Sequence, residues 1–526
     1  MKRICITTLI YLTLISNGAL VAQSRDSITY PGTLKEREMQ ILHQNWNMTG
    51  NSAGMGFSHV NTGSFTTLGL ITGSGDYHKA QEGSARNALQ FRTERYDKFN
   101  QKLYVKGSFI FTRERELDRA WSDVFHTYNS NPYIYGSSVK GNYETQRFDL
   151  NVKVYTSNLG KFNVGVEFDY KVADMAKQRD PRSRSYLLDY SLLPSLTYSI
   201  SKTHTIGINV KYRFEKEKMP GLSTVQTNPN LKYFDFIGLE HVDGKIGGYL
   251  GFQRQFVSDY MGVAIQYNYN NKKISWLTSV GFDSQRQETL GNKKQSPGSY
   301  NSYNYTLLTN LILRSGKYTH DLKIRGSILD GGADEFRQSL ISIRDPETNE
   351  VTETWETTYK YINRFIVKTK DLSTDYKLYS SNKDSKGYLW NIGFVASYNE
   401  FSNYYYLPYS QYSVSKLFAG LNGSYSLLDK KHHCIDFVFR AVAGVPSKSV
   451  LTLATQTEIS TQVLQPDLEF HNKKTLDGSL EVKYTFPLSF GKSKMQGYAR
   501  FFAGNIFASD SMNWSNAGFS IGILTL

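Results

Sequence analysis

From about residue 60 to its end the chain alternates apolar and polar side chains, segment after segment. In 161–172, Phe162, Val164, Val166, Phe168, Tyr170 and Val172 alternate with Lys161, Asn163, Gly165, Glu167, Asp169 and Lys171. In 205–214, Ile206, Ile208, Val210, Tyr212 and Phe214 alternate with Gly207, Asn209, Lys211 and Arg213. In 516–525, Ala517, Phe519, Ile521 and Ile523 oppose Asn516, Gly518, Ser520 and Gly522. A strand turns successive side chains to opposite faces, so each segment has one apolar and one polar face. Many such strands, apolar outside and polar inside, are what a closed barrel needs between lipid and water.

The pattern predicts nineteen strands, near 63–72, 88–96, 101–113, 145–156, 161–173, 190–200, 205–215, 245–257, 260–270, 273–284, 302–314, 319–329, 370–380, 387–399, 411–427, 433–443, 474–486, 494–506 and 514–526. Face parity tests the tight hairpins. Strands 145–156 and 161–173 keep their apolar residues on even numbers, which requires an odd loop, and Asn158-Leu159-Gly160 supplies it. That register places Ser157 opposite Lys161, Asp149 opposite Asp169 and Arg147 opposite Lys171. The face changes parity between 260–270 and 273–284, so the two-residue loop Asn271-Lys272 fits. It changes again across Gly316-Lys317, a turn with Gly first. Long loops are expected at 114–144, 174–189, 216–230, 285–301, 330–369, 400–410 and 444–473, alternating with short turns. The alternation breaks near 216–245 unless Leu231–Glu240 adds a strand, turning at Asp243-Gly244. The expected fold is therefore all-β: a closed antiparallel transmembrane β-barrel of about 16–20 strands, with a short N-terminal helix.

That helix is expected over 33–46. Thr33 and Glu36 fit a capping box, and Leu34, Ile41, Leu42 and Trp46 share a face. Residues 23–60 would then form a periplasmic or lumen-plugging segment, ahead of a barrel over 61–526. Met1–Ala22 reads as a secretory signal, with Lys2 and Arg3 before the apolar Ile4–Ile15 and small residues at Gly18, Ala19 and Ala22. Among 526 residues only Cys5 and Cys434 are cysteines, and Cys5 lies in the signal, so no internal disulfide is expected. Mean hydropathy is −0.45, and no apolar run beyond the N-terminus is long enough for a spanning helix. The 38 Tyr and 30 Phe suit a membrane boundary, where a ring meets hydrocarbon and a hydroxyl meets water. The formal charge of +14 suits anionic solutes or lipid phosphates. Export argues against nucleic acid as a partner.

The motifs for chemistry are weak. Gly50-Asn51-Ser52-Ala53-Gly54 matches the hydrolase pattern G-x-S-x-G, but that elbow needs a strand before the serine and a helix after it. Here a helix precedes and a strand follows, so a glycine-rich entry to the barrel is expected. His432 and His433 are neighbours and would face opposite ways in a strand. Asp76 and His78 are too few for a metal site. No catalytic residue, metal or cofactor is expected. The inward faces carry the stronger signal: Asp149, Lys153, Glu167, Asp169, Lys171, Lys211, Arg213, Lys323, Arg325, Asp436, Arg440, Glu481 and Lys483 are the expected lumen-lining residues. Such charges need water or one another.

The exported, Tyr-rich barrel pattern resembles outer-membrane β-barrel families of unknown function from Bacteroidota-type bacteria. Asn51-Ser52-Ala53-Gly54 after a helix is also similar to the Asn-Pro-Ala-Gly segment of fatty-acid-transporter-like barrels, with Ser52 in place of proline. The resemblance implies an outer-membrane location, contact with its lipid, and delivery by the barrel-insertion machinery. For that machinery Phe519 is the nearest aromatic to the final Leu526. Two functions are expected. One is a channel or transporter for small polar or anionic solutes. The other is a non-conducting barrel that binds an outer-membrane or periplasmic protein partner, using aromatic residues such as Trp355, Tyr359, Tyr361 and Phe365 in a long loop.

Overall fold

The computed structural model describes residues 34–57, 62–128, 130–157, 159–225, 232–245, 252–381, 387–430, 433–491 and 493–525. Eighteen antiparallel strands close into a barrel. In chain order they are β1 (Gly63–Gly75), β2 (Ala85–Lys98), β3 (Leu103–Arg119), β4 (Gly141–Thr156), β5 (Phe162–Lys177), β6 (Arg182–Ser199), β7 (His204–Met219), β8 (Arg254–Asn270) and β9 (Ile274–Leu290). The circuit continues with β10 (Gly298–Ser315), β11 (Tyr318–Arg344), β12 (Val351–Ser381), β13 (Tyr388–Tyr405), β14 (Ser410–Lys430), β15 (His433–Thr452), β16 (Thr475–Phe490), β17 (Ser493–Ala508) and β18 (Asn513–Thr525). Pairing of β1 with β18, from Ser64↔Thr525 to Gly75↔Trp514, closes it. Closure leaves no sheet edge unpaired, the condition for strands to cross lipid. The outward positions are the apolar ones: Phe148, Leu150, Val164, Phe168, Ile206, Ile208, Val210, Leu480 and Ile521 are all exposed.

Turns join the strands at one end, and the long connections 120–140, 220–253 and 453–474 lie at the other. The long loops expected at 174–189 and 400–410 are only the four-residue links 178–181 and 406–409, because β5, β6, β13 and β14 run on past the expected strand ends. The turn at Gly316-Lys317 has the expected form, with Ser315↔Tyr318 closing it and Gly316 at φ +57. Two registers differ from expectation. In β8–β9 the turn residues are Lys272 and Lys273, because the Asn271 Oδ1 accepts from the N–H groups of Lys273 (2.8 Å) and Ile274 (2.6 Å). In β4–β5 Asp149 faces Lys171, Asn151 faces Asp169 and Lys153 faces Glu167. The chain there turns about Gly160, at φ +73, with Leu159 bridging Phe162. This two-residue shift sets opposite charges face to face where like charges were expected. Asn158, like the expected signal Met1–Ala22, the cap residue Thr33, His432 and Leu526, lies outside the described residues.

Two predicted strands are not barrel staves. Of the stretch 245–257, residues 246–251 lie outside the described residues, Lys245 ends a strand of a small separate sheet, and residues 254–257 begin β8. Tyr233–Gly238 instead pairs with His241–Lys245 and Tyr135–Ser137 in a small separate sheet, turning at Leu239-Glu240 rather than Asp243-Gly244. Every residue of Tyr233–Gly238 is buried, the charged Asp235 included, so this largely apolar run lies in a packed interior, not on a lipid face. The 330–369 loop is a hairpin. Beyond the last β10 pairing at Glu335, β11 and β12 continue as a two-stranded ribbon, Phe336–Arg344 with Val351–Arg364, roughly 30 Å long at 3.4 Å per residue. It is held on one side by Ser296 N–H donating to Gln338 Oε1 and by the Lys293–Glu353 pair.

The ladder of the wall is interrupted between two strands that face the N-terminal segment. Between β6 and β7 the pairing runs to Leu192↔Tyr212 and resumes at Ser195↔Asn209. Pro194 falls in the gap and has no N–H to offer.

Candidate functional site

The N-terminal segment lies inside the barrel. Helix α1 (Leu34–Leu42) is followed by two 3-10 turns, Asn45–Met48 and Ser52–Phe57. Three charges on the first turns of α1 anchor it to the inner wall. Lys35 pairs with Asp436 at 3.2 Å and donates to the Leu389 carbonyl at 2.9 Å. Arg37 pairs with Glu94 at 2.7 Å, and Glu38 with Lys483 at 2.8 Å. Met39 and Leu42 pack on Ile312, Tyr379 and Tyr388. Ile41, expected on the packed face, is exposed. The segment then reaches the opposite wall. Buried Asn51 donates through Nδ2 to Gln266 Oε1 (2.8 Å) and to the carbonyls of Leu196 and Ile208 (3.2 Å each), beside the β6–β7 ladder break. Ala53 N–H donates to Ser195 Oγ at 3.0 Å. Glycines make the seat: a Cβ on Gly54 would stand 2.0 Å from the Trp46 ring, and one on Gly165 2.5 Å from the Ala53 nitrogen.

Beside this floor lies a cavity of about 640 Å³. Its lining includes Met48, Thr49 and Gly50 from the floor, and Asp169, Lys171, Asp189, Lys211, Arg213, Asp283, Arg325 and Asp371 from the wall. Four are basic and four acidic, and most are joined: Lys171–Asp189 at 3.6 Å, Arg213–Asp189 at 2.7 Å and Lys211–Asp283 at 3.2 Å. Five of the charged residues singled out in the sequence therefore meet at one chamber. The other eight sit elsewhere on the same inward face. Asp436 and Lys483 hold α1, and Glu481 bridges Lys483 (3.3 Å) and Arg500 (2.6 Å). Lys153 pairs with Glu167 at 2.8 Å, Arg147 with Asp149 at 3.0 Å, and Lys323 with Asp321 at 2.7 Å. Arg440 pairs with Asp477.

The other end of the lumen is filled by a second core. Tyr133, Tyr135, Met219, Tyr233, Phe256, Tyr300, Phe365 and Tyr405 pack together, fully or nearly fully buried. Asp123 accepts from Tyr233 OH (2.7 Å) and Tyr143 OH, and Arg254 pairs with Asp235. A π-turn (Ser460–Leu464) leads into helix α2 (Gln465–Asn472), with Phe470 stacked on Tyr77 at 4.3 Å. Under α2 lies a cavity of about 530 Å³, and beside it one of about 290 Å³. Asp371 lines the first and second chambers; Lys79, Phe401 and His471 line the second and third. The three chambers thus form a chain from floor to roof. Phe365, expected in an exposed loop, belongs to the roof core, whereas Tyr359 is exposed.

The motif serine carries no base: Ser52 is buried, and its Oγ lies 3.2 Å from Ser195 Oγ. His78 Nδ1 lies 2.9 Å from the Lys79 carbonyl, and His433 Nδ1 2.9 Å from Tyr484 OH. Among the described residues no cluster of His, Cys, Asp and Glu could hold a metal. The anchors Lys35, Arg37 and Glu38 and the wall contact Asn51 were missed in the sequence. The inward-facing glycines Gly165 and Gly207 were the available signal, since a strand gives up a side chain where another backbone comes close.

A family model described as "Family of unknown function (DUF6850)" matches residues 52–525. No curated protein matches the chain. Among solved structures it is similar to the FrpB iron transporter from Neisseria meningitidis, at 8% identity and TM-score 0.42, over 89% of this chain and 82% of that one. It is similar to the copper transporter OprC at 10% identity and TM-score 0.39, over 88% and 80%. It is also similar to the outer membrane protein opdK from Pseudomonas aeruginosa at 9% identity and TM-score 0.36, over 88% and 99%.

Proposed function

We propose that this chain, which belongs to the DUF6850 family and closes an 18-strand barrel, is a gated outer-membrane transporter of small polar solutes. The carrying observation is the 640 Å³ chamber inside the wall, lined by charged side chains and bounded below by the N-terminal segment. A volume in this range suits a small molecule. Buried charge around a chamber needs water or a polar solute to face. A closed wall with apolar outward faces supports a place in the outer membrane, against its lipid, and delivery there by the barrel-insertion machinery is part of the proposal. The floor and roof make the resting state closed, so passage requires the segment 34–57 to shift. The balanced lining predicts little discrimination by charge at this chamber. An anion preference would arise nearer the roof, where Lys79 and Lys416 lie.

The test is solute flux into proteoliposomes carrying the mature protein, with arabinose, glycine and gluconate as probes. Flux of all three, raised by loosening the floor, supports the reading. A properly inserted, heat-modifiable barrel that passes none of them, with or without the floor, overturns it.

A second reading is supported by the ribbon above β11 and β12. Leu340, Ile343, Val351, Tyr359 and Ile362 are all exposed on it, more apolar surface than a solvated hairpin needs. In this reading the barrel anchors a protein-binding arm, and cross-linking from the ribbon on intact cells would recover a discrete partner. Removing the ribbon would then leave flux unchanged.

A further inference from the structure

The chamber beneath α2 differs in chemistry from the one above the floor. Its walls are largely apolar, with Phe401, Phe418, Val442 and Ile506, and one end is cationic. Lys416 is 7% exposed. Its ammonium donates to Tyr77 OH at 3.2 Å and lies 5.5 Å from the Phe418 ring. Among the described residues no carboxylate reaches it within ion-pair distance. The acids that line the chamber are engaged elsewhere: Asp477 with Arg440, Asp371 with Asn399 (2.5 Å), and Glu400 with Lys370 (3.4 Å) and Lys448 (3.9 Å). Lys79 approaches the same aromatic stack from its other member: its ammonium lies 5.9 Å from the Phe470 ring, and Lys416 lies 5.8 Å from the Tyr77 ring. His471 lines the chamber between them. Burial, then the charges of Lys79 and Lys416, hold its imidazole down to about 3, so it stays neutral and adds no third charge.

A buried ammonium without a counter-charge is costly. Hydrogen bonding to a phenol leaves its charge uncompensated. The geometry points to a binding site for an organic monoanion with an apolar or aromatic body: the anionic head on Lys416, with Lys79 beside it, and the body against Phe401 and Phe418. The inference deepens the transport reading and rests on it for the direction of travel. Binding itself can be measured without passage, so a silent transporter that binds and a transporter that does not bind are distinct results.

The experiment is a titration of the full mature protein in lipid nanodiscs with 1-naphthoate, its neutral analogue 1-naphthamide, and acetate, each corrected against empty nanodiscs. Naphthoate is expected to bind saturably at one site, about ten-fold or more tighter than naphthamide, because a charge-assisted hydrogen bond is lost with the charge. Acetate, lacking a body, is expected not to bind. Lys416→Met should weaken naphthoate to the level of naphthamide, and Lys416→Arg should retain it. Equal binding of naphthoate and naphthamide, or naphthoate binding untouched by a folded Lys416→Met, would overturn the site. Should Lys416→Met fail to fold, Lys79→Met and the wild-type comparison of the two probes decide the matter.

Discussion

Asn51 occupies the point where the floor meets an interrupted ladder in the wall. The β6–β7 ladder is interrupted at Pro194, and the Asn51 amide spans the adjoining strands by donating to Leu196 and Ile208 carbonyls. Asn51→Ala should therefore cost about 1–3 kcal/mol, the range for buried groups left without a partner. Hydrogen exchange should quicken selectively at residues 195–197 and 207–209; unchanged protection there would show that the floor does not brace the wall. A second residue, Asp467 on α2, is linked to pH. Burial pushes its carboxyl up to about 7, against the Ala80 N–H at 2.7 Å and the Lys79 charge, which pull it down, while Glu82 adds to the rise. A raised folded pKa means the docked state holds the proton that the undocked state has released. The docked state's advantage is thus full below about pH 4, where both states hold the proton, falls as pH rises from there to about 7, and does not change further above it. Exchange at 465–472, corrected for its intrinsic pH dependence, should show less protection at pH 8 than at pH 6. Asp467→Asn should abolish the difference.

At the scale of elements, the strands were legible because each has only two faces, and a barrel assigns one to lipid. Val164, Phe168 and Tyr170 against Glu167, Asp169 and Lys171 state that assignment without ambiguity. Turn length was legible through parity, and Gly316 supplied the required positive φ. Register was less so. Parity is preserved by a shift of two residues, so Asn271 could take its neighbours' N–H groups and Leu159 could bridge Phe162 with no change of face. The small sheet at Tyr233–Gly238 escaped because a strand buried on both faces, with Asp235 paired inside to Arg254, carries no lipid-against-water alternation. Helix α1 was recognised, but not its anchors, since an ion pair across some 400 residues of sequence has no local signature. Those anchors now make a prediction. Lys35 and Asp436 are both almost fully buried, so Lys35→Met, which strands the Asp436 charge, should cost about 3–5 kcal/mol of floor docking. Adding Asp436→Leu should recover most of it. The measure is protease access to 34–57 in the intact barrel; equal access for the single and double variants would remove the pair from the docking energetics.

For the whole molecule, the question is which layer closes the lumen. The floor is a short segment held by three ion pairs, a few hydrogen bonds and two small apolar clusters, Met39 and Leu42 on Ile312, Tyr379 and Tyr388, and Trp46 and Met55 on Tyr155 and Leu277. The roof is a packed aromatic interior. The roof buries a far larger apolar interior than the floor's two small clusters, and apolar stabilisation grows with buried area, so the floor should move at lower cost than the roof. Deleting 34–57 should accordingly leave an inserted, heat-modifiable barrel, because the wall closes through β1 and β18 alone. In a planar bilayer its current should rise only moderately above that of the full chain, since the roof still obstructs the path. A variant that also lacks 455–472, which carries α2 and the turn before it, should conduct stepwise and at least several-fold more. If the first deletion already gave full conductance, the roof would not be a barrier, and the chambers beneath it would open freely to the outside. If neither deletion conducted, the ion-paired wall would itself be the seal, and the barrel would act as a scaffold for its exposed ribbon.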